Sequence, residues 1–431
     1  MPHTGLLAAS QTSVRRVTLV AATAAAGGFL FGFDTSSING AIDGIGSDLR
    51  LSGAVLGFVT AIALLGCAAG AWFAGPVTGR LGRTRVMTIA GLLIAIGSLG
   101  AAFVSHFVLM GVFRFCVGLG IGAASAVVPA YVAEISPMEI RGRLGSFWQF
   151  AIVLGQLVGL ITSWLLRRSA GGETEPLLFG GAAWRWMFIT VAIPAALYAF
   201  AATRLPPSPH RGTTERVDVR ALRGPRLGLK GIVWTGILVA AFQQLVGINV
   251  VKTYSTMLWR IVGFSAGVSF AISIVTVIIS ILSTVLAISI IDKVGRRTLL
   301  LAGAVLMFIS LAALTVAFSQ ATGSGDSLQL ARTPGLVALV AMNVFAIAFG
   351  ATWGPVMWVM LSELFSGDLR TSAVAICTAV NWVTNWLVTR TFPLLAGAGL
   401  GLAYGLYAAF ALVALIFVWR FVPETSRREI V

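Results

Sequence analysis

Apolar runs fall near residues 17–40, 54–78, 86–104, 107–132, 145–166 and 184–203, and resume near 231–259, 266–291, 298–318, 335–361, 371–395 and 401–421. Each is roughly 20 residues long or longer, the length an α-helix needs to cross about 30 Å of hydrocarbon. The pattern predicts an all-α integral membrane protein of twelve helices, six plus six. Between the two sets lies the only long polar stretch, Arg204 to Lys230, with seven Lys+Arg and three prolines before His210. It reads as a linker, with one short amphipathic helix expected around Val217–Leu222. The expected units are therefore residues 1–203, the linker 204–230, and residues 231–431.

Composition agrees. Hydrophobic residues make up 58% of the 431 and charged residues only 10%, far below the quarter usual in soluble domains. The 49 glycines suit close backbone approach between membrane helices. A net charge of +15 raises nucleic acid as a partner, but the charges sit in the short breaks between apolar runs. Assigning the breaks alternately to two sides places about 21 of the 30 Lys+Arg on one side and about seven on the other. By the positive-inside rule this puts both termini in the cytoplasm and leaves no case for nucleic acid. Arg15 and Arg16 precede an apolar run with no cleavage site, so the first helix is expected to serve as its own insertion signal. Cys67, Cys116 and Cys377 lie within apolar helices and imply no disulfide framework.

The halves repeat one another. Gly79-Arg-Leu-Gly-Arg-Thr-Arg85 follows the second run, and Asp292-Lys-Val-Gly-Arg-Arg-Thr298 follows the eighth. Glu134 precedes Arg141 by seven residues after the fourth, and Glu363 precedes Arg370 by seven after the tenth. Two spaced motifs recurring in one order at equivalent places mean duplication, as transporters often show.

Two ionisable residues interrupt apolar helices, Asp34 in the first and Arg114 in the fourth. A charge at mid-bilayer costs at least about 2.5–3.5 kcal/mol, so such residues pair or face a cavity. One reading is a static ion pair; the other is a proton switch, ionised while paired and protonated once parted in a dry site. Neutral amides form a second group: Gln149 and Gln156 seven apart on one helical face, then Gln243, Gln244 and Asn249, with Gly247 offering a place for the seventh helix to break. Amides both donate and accept, as sugar hydroxyls do, and aromatic rings such as Trp358 and Trp382 cover sugar C–H faces.

Taken in order, these segments resemble the sugar porter family of the major facilitator superfamily over nearly the whole chain. The matching residues are Gly32-Phe-Asp34, Gly-Arg-Leu-Gly-Arg at 79–83, Arg114 with Gly118-Leu-Gly-Ile-Gly122, Pro129-Ala-Tyr-Val-Ala-Glu134 and Arg141-Gly-Arg143. Further on stand Gln243-Gln-Leu-Val-Gly-Ile-Asn249, Asp292-Lys-Val-Gly-Arg-Arg297, Gly354-Pro-Val-Met-Trp358, Glu363 to Arg370, Asn381-Trp-Val-Thr-Asn385 and Pro423-Glu-Thr425. The resemblance implies two six-helix bundles rocking about a central site. It implies sugar contacts at Phe31, Gln149, Gln156, Gln243, Gln244, Asn249, Gly354, Trp358 and Asn385, to which the residue reading adds Trp382, and proton coupling through Asp34 and Arg114. Arg80, Arg83, Glu134 and Arg141 are expected to lock the inner face of the first half, and Asp292, Arg296, Arg297, Glu363 and Arg370 that of the second.

The sequence also departs from the family pattern. Gly79 stands where the loop usually has Asp, the linker is short, Ser280 stands where Asn is frequent, and Lys252 and Thr253 replace common aromatics. Lys252 either faces the cavity, favouring an acidic ligand, or snorkels to the outer interface. The expected function is proton-coupled import of a sugar or sugar-like polyol. The alternatives are a passive facilitator, which Asp34 argues against, an exporter of a drug or small metabolite, and a membrane sensor. No nucleophile–base pair, metal-ligand cluster or phosphate loop suggests an enzyme. The expected partners are the solute, a proton and the lipid bilayer, with no cofactor and the chain acting as a monomer.

Overall fold

The computed structural model describes residues 3–208, 222–225, 227–253, 259, 266–322, 329–365 and 369–426. In the first half the helices are α1 (His3–Asp48), α2 (Gly53–Leu81), α3 (Arg83–Phe103), α4 (Phe107–Ile135), the short α5 (Arg141–Gly145), α6 (Phe147–Ala170) and α7 (Ala183–Ala202). The second half has α8 (Gly231–Leu245), α9 (Ile248–Thr253), α10 (Ala266–Val294), α11 (Arg296–Phe318), α12 (Arg332–Ala351), α13 (Trp353–Leu364), α14 (Leu369–Ala398) and α15 (Leu400–Phe421). Most of the expected linker helix, Val217 to Ala221, lies outside the described residues.

Eleven described spans are long and apolar enough to cross a membrane. The helix at Leu369–Ala398 is not among them, because Thr378, Asn381, Thr384 and Asn385 dilute its hydropathy. All four are buried, so this helix turns its polar face inward. Each half is a bundle: α1 packs on α6, α2 on α4, α3 on α4 and α7; α11 packs on α12 and α15, and α14 on α8. Between the halves, α2 meets α14 and α10 meets α5 and α6.

Glycines set how closely the helices approach. A Cβ on Gly122 would lie 1.9 Å from the Cys67 carbonyl, and one on Gly32 1.9 Å from that of Ile152. At both points only a hydrogen fits between two backbones, which is how α4 meets α2 and α1 meets α6.

Two spans are broken. The seventh divides at Gly247, whose φ of 82° suits glycine; the sequence anticipates this break. The tenth divides at Thr352 (φ −134°, ψ −89°), where the run 335–361 reads as continuous. Thr352 donates to the Ala348 carbonyl at 2.6 Å, offering the backbone a side-chain alternative to the helical ladder, and nothing in the hydropathy marks it.

Candidate functional site

In the first half, α1 carries Asp34 and α4 carries Arg114. Arg114 Nη1 and Nη2 donate to the two Asp34 carboxylate oxygens at 2.5 and 3.0 Å. Each residue is 2% exposed. The Phe188 ring lies 5.7 Å from the guanidinium, so the pair sits against apolar surface, where charges interact more strongly than in water. The expected pairing is present.

The amides converge from the second half. Gln243 Nε2 donates to the Trp353 and Gly354 carbonyls at 3.3 and 3.4 Å, in the first turn after the Thr352 break. Gln244 Nε2 donates to Gln243 Oε1 at 3.0 Å and to Asn381 Oδ1 at 3.2 Å. Asn249 Nδ2, just beyond the Gly247 break, donates to Gln244 Oε1 at 2.6 Å. Asn381 Nδ2 closes the network on Gln243 Oε1 and the Ala240 carbonyl, both at 2.8 Å. Asn381 was missing from the expected contacts; its signal was its place in Asn381-Trp-Val-Thr-Asn385.

The first half faces this network. Gln149 is buried against Gly354, 3.3 Å from where a Cβ there would lie. Gln156 is 5% exposed, and its Oε1 accepts no hydrogen bond among the described residues. Trp148 and Trp358 meet edge to face at 6.0 Å, and so do Phe31 and Trp382 at 4.9 Å. Trp382 Nε1 donates to Ser125 Oγ at 2.9 Å, a buried bond between the halves. Phe31 lies one turn from Asp34 on α1 and so links the aromatic cluster to the ion pair. Asn385 is buried but accepts from Thr389 at 3.2 Å, outside the amide network. Ser280 turns to its own helix, donating to the Thr276 carbonyl at 2.9 Å. Lys252 is half-buried one turn beyond Asn249, with no ion pair among the described residues.

The basic end of the bundles is held by charges, and here the expected grouping needs correction. Arg83 pairs with Glu134 through Nε at 2.7 Å and through Nη2, and Arg296 pairs with Glu363 through Nε and Nη2 at 3.0 and 2.7 Å. Arg80 is exposed and makes no ion pair among the described residues. Asp292 and Arg370 do not serve the second half alone. Asp292 accepts from the Gly142 and Arg143 N–H groups of the first half at 3.1 and 2.8 Å, and Arg370 lies 3.8 Å from Glu134. Both span the halves because α5 abuts α10 and α14 abuts α2 at this end. Arg297 binds the Glu424 carboxylate through its backbone N–H at 3.1 Å and the Trp419 carbonyl through Nη2 at 2.6 Å, not Glu363. Arg141 Nε donates to the Ala133 carbonyl at 3.2 Å. Glu424 and Thr425 are further members: Glu424 caps α11 through the Arg296 N–H at 2.8 Å, and Thr425 donates to Glu363 at 2.8 Å. Both lie in the Pro423-Glu-Thr425 segment, which had carried no assigned role.

Two helical bundles meeting over buried amides and aromatic rings, with a buried carboxylate–guanidinium pair beside them, have the architecture of a secondary transporter. The chain matches the model of the sugar (and other) transporter family over residues 20–212 and 224–431, and it belongs to that family. It is 40% identical to a glucose transport protein of Synechocystis, covering 98% of this chain and 97% of that protein. It is 33% identical to the D-xylose-proton symporter of Escherichia coli K12, covering 96% and 94%. Among solved structures, a major facilitator proton:xylose symporter bound to 6-bromo-6-deoxy-D-glucose superposes with a TM-score of 0.84 at 32% identity, covering 97% of this chain and 98% of that one. An inward open form of the E. coli xylose transporter reaches 0.72 at 33% identity, covering 96% and 97%. The chain is a multi-pass membrane protein with the major facilitator fold, and a transporter rather than an enzyme.

Proposed function

We propose that this protein imports a sugar or sugar-like polyol together with a proton, by alternating access of residues 1–203 and 231–431 about the central chamber. The buried Asp34–Arg114 pair carries this reading, because neutral sugar binding alone gives no reason to bury two charges at 2% exposure. The charge asymmetry supports a cytoplasmic basic end, and the bonds that join the halves there fit a state closed on that side.

In this state sugar enters from outside and meets Gln149, Gln156, Gln243, Gln244, Asn249 and Asn385 with the Trp358 and Trp382 rings. Its hydroxyls replace amide–amide bonds such as Asn249 to Gln244, and Gln156 Oε1 receives a donor that none of the described residues supplies. Phe31 transmits the repacking to α1. A proton on Asp34 neutralises the carboxylate and releases Arg114, and the bundles then rock. Asp292, Arg370 and the Arg83–Glu134 and Arg296–Glu363 pairs release the cytoplasmic end. A proton moving inward gains about 2.3 kcal/mol per 100 mV, enough for a solute ratio on the order of tens at about 1.4 kcal/mol per tenfold.

Uptake into proteoliposomes tests this with a panel of pentoses, hexoses, polyols and uronates. One or more should accumulate above the external concentration under an inward proton gradient, and an uncoupler should collapse that accumulation. Uptake that stops at equilibrium with or without the gradient would make the protein a facilitator. Within the chamber, Gln244→Ala removes the centre of the amide network and should weaken binding of the transported sugar about tenfold or more while the protein stays in the membrane. Calorimetric titration in detergent reads this directly; unchanged affinity would remove the amides from the sugar site.

A further inference from the structure

Lys252 lies within the seventh apolar run, 231–259, and has no carboxylate within ion-pair distance among the described residues. Arg114, in another apolar helix, has Asp34. A cation placed in a membrane span without a partner is costly, and such residues mark the path of a solute or ion.

Its direction follows from α9. Ile248, Val250 and Val251 are buried there, whereas Asn249 and Lys252 are half-buried. Residues three apart are neighbours on one helix face, so these two open onto the same space. Asn249 fixes where that space lies, because its Nδ2 donates to Gln244 Oε1 and Gln244 is buried in the amide network. α9 also packs on α14, which supplies Asn381 to that network. A lysine turned to lipid would take Asn249 with it. Lys252 stands about 4.5 Å further along the axis than Asn249, on a flexible stem that lets its ammonium meet a ligand held by the amides.

We propose that the transported solute is a sugar acid, a uronate or aldonate, whose hydroxyls meet the amides and whose carboxylate meets the Lys252 ammonium. This rests on the transport reading above and narrows its substrate. An ammonium has three donors and no acceptor, and it bonds a carboxylate more strongly than a hydroxyl. A neutral sugar leaves that charge unmatched, so the acid is preferred. The driving force changes too. One carboxylate and one proton enter together with no net charge. The pH difference then drives them, at about tenfold per pH unit, and the membrane potential does not.

Counterflow in proteoliposomes tests this with D-glucuronate, D-galacturonate and D-gluconate beside D-glucose, D-galactose and D-xylose. At least one acid should bind about tenfold or more tightly than its neutral parent, and its uptake under a pH gradient should ignore a potential set with potassium and valinomycin. Lys252→Met and Lys252→Gln remove the charge and should erase that preference while the affinity for neutral sugars stays nearly unchanged. Lys252→Arg keeps the charge and should keep the preference. Melting in uncharged detergent checks that each variant is folded. Neutral sugars carried with no acid preferred would overturn the proposal and leave the transport reading standing. So would an acid preference that survives in both uncharged variants, as expected of a lysine that only snorkels to the interface. A parent protein that moves no member of the panel would instead sink the transport reading, and this proposal with it.

Discussion

An Asp34→Asn protein should exchange labelled sugar across a membrane at close to the parent rate, yet concentrate none of it. Asparagine keeps the shape and one acceptor oxygen for Arg114, but it has no proton to take up or release. The parent carboxylate faces two states of very different cost. Paired at 2.5 and 3.0 Å its charge is matched by the guanidinium; parted from Arg114 in a dry site that charge is uncompensated. That difference ties bundle rocking to proton occupancy, and the neutral amide removes it. The accumulation ratio under an inward gradient should fall from tens to about one, while counterflow, which needs only sugar binding and rocking, persists. Counterflow also serves as the folding control. A mutant that still concentrates sugar would leave Asp34 a static tie between α1 and α4.

The next largest effect is structural. Glu363→Ala should lower the melting temperature by about 10 °C, from a loss on the order of 3–5 kcal/mol. Glu363 accepts from Arg296 at 3.0 and 2.7 Å and from Thr425 at 2.8 Å, and Arg296 is 2% exposed. Truncation leaves a buried guanidinium with Asp292 alone and strands the Thr425 hydroxyl. Glu363→Gln keeps an acceptor oxygen and should fall between parent and alanine. Arg80→Ala, at an exposed position with no ion pair among the described residues, should change stability by no more than about 0.5 kcal/mol. Equal melting of Glu363→Ala and Arg80→Ala would mean that burial of the network contributes nothing.

The sequence pattern carries the fold because the bilayer imposes it: a span must be apolar and of fixed length, so runs count helices directly. It carries the Asp34–Arg114 pair for a related reason, since two lone charges in apolar helices have few partners to choose from. The Gly247 break was visible in a residue free of Cβ, whereas the Thr352 break arises from a hydroxyl bonding its own helix, which leaves no mark in hydropathy. The lock was read half by half because repeats suggest symmetric pairing within each half. Which bundle Asp292 and Arg370 touch depends instead on how the two bundles meet in one state, and no single helix encodes that. Arg80 and Arg83 look alike as text, yet they lie on different faces, Arg80 near the end of α2 and Arg83 at the start of α3. Glu424 and Thr425 reach the network only because the chain turns back after α15.

The most direct measurement of coupling follows external pH in lightly buffered proteoliposomes as a transported sugar is added with no imposed gradient. Sugar entry should draw protons in with it, making the outside transiently more alkaline, and Asp34→Asn should show sugar entry with no pH change. Parent protein that takes up sugar without moving protons would contradict a titratable Asp34 as the link between the two.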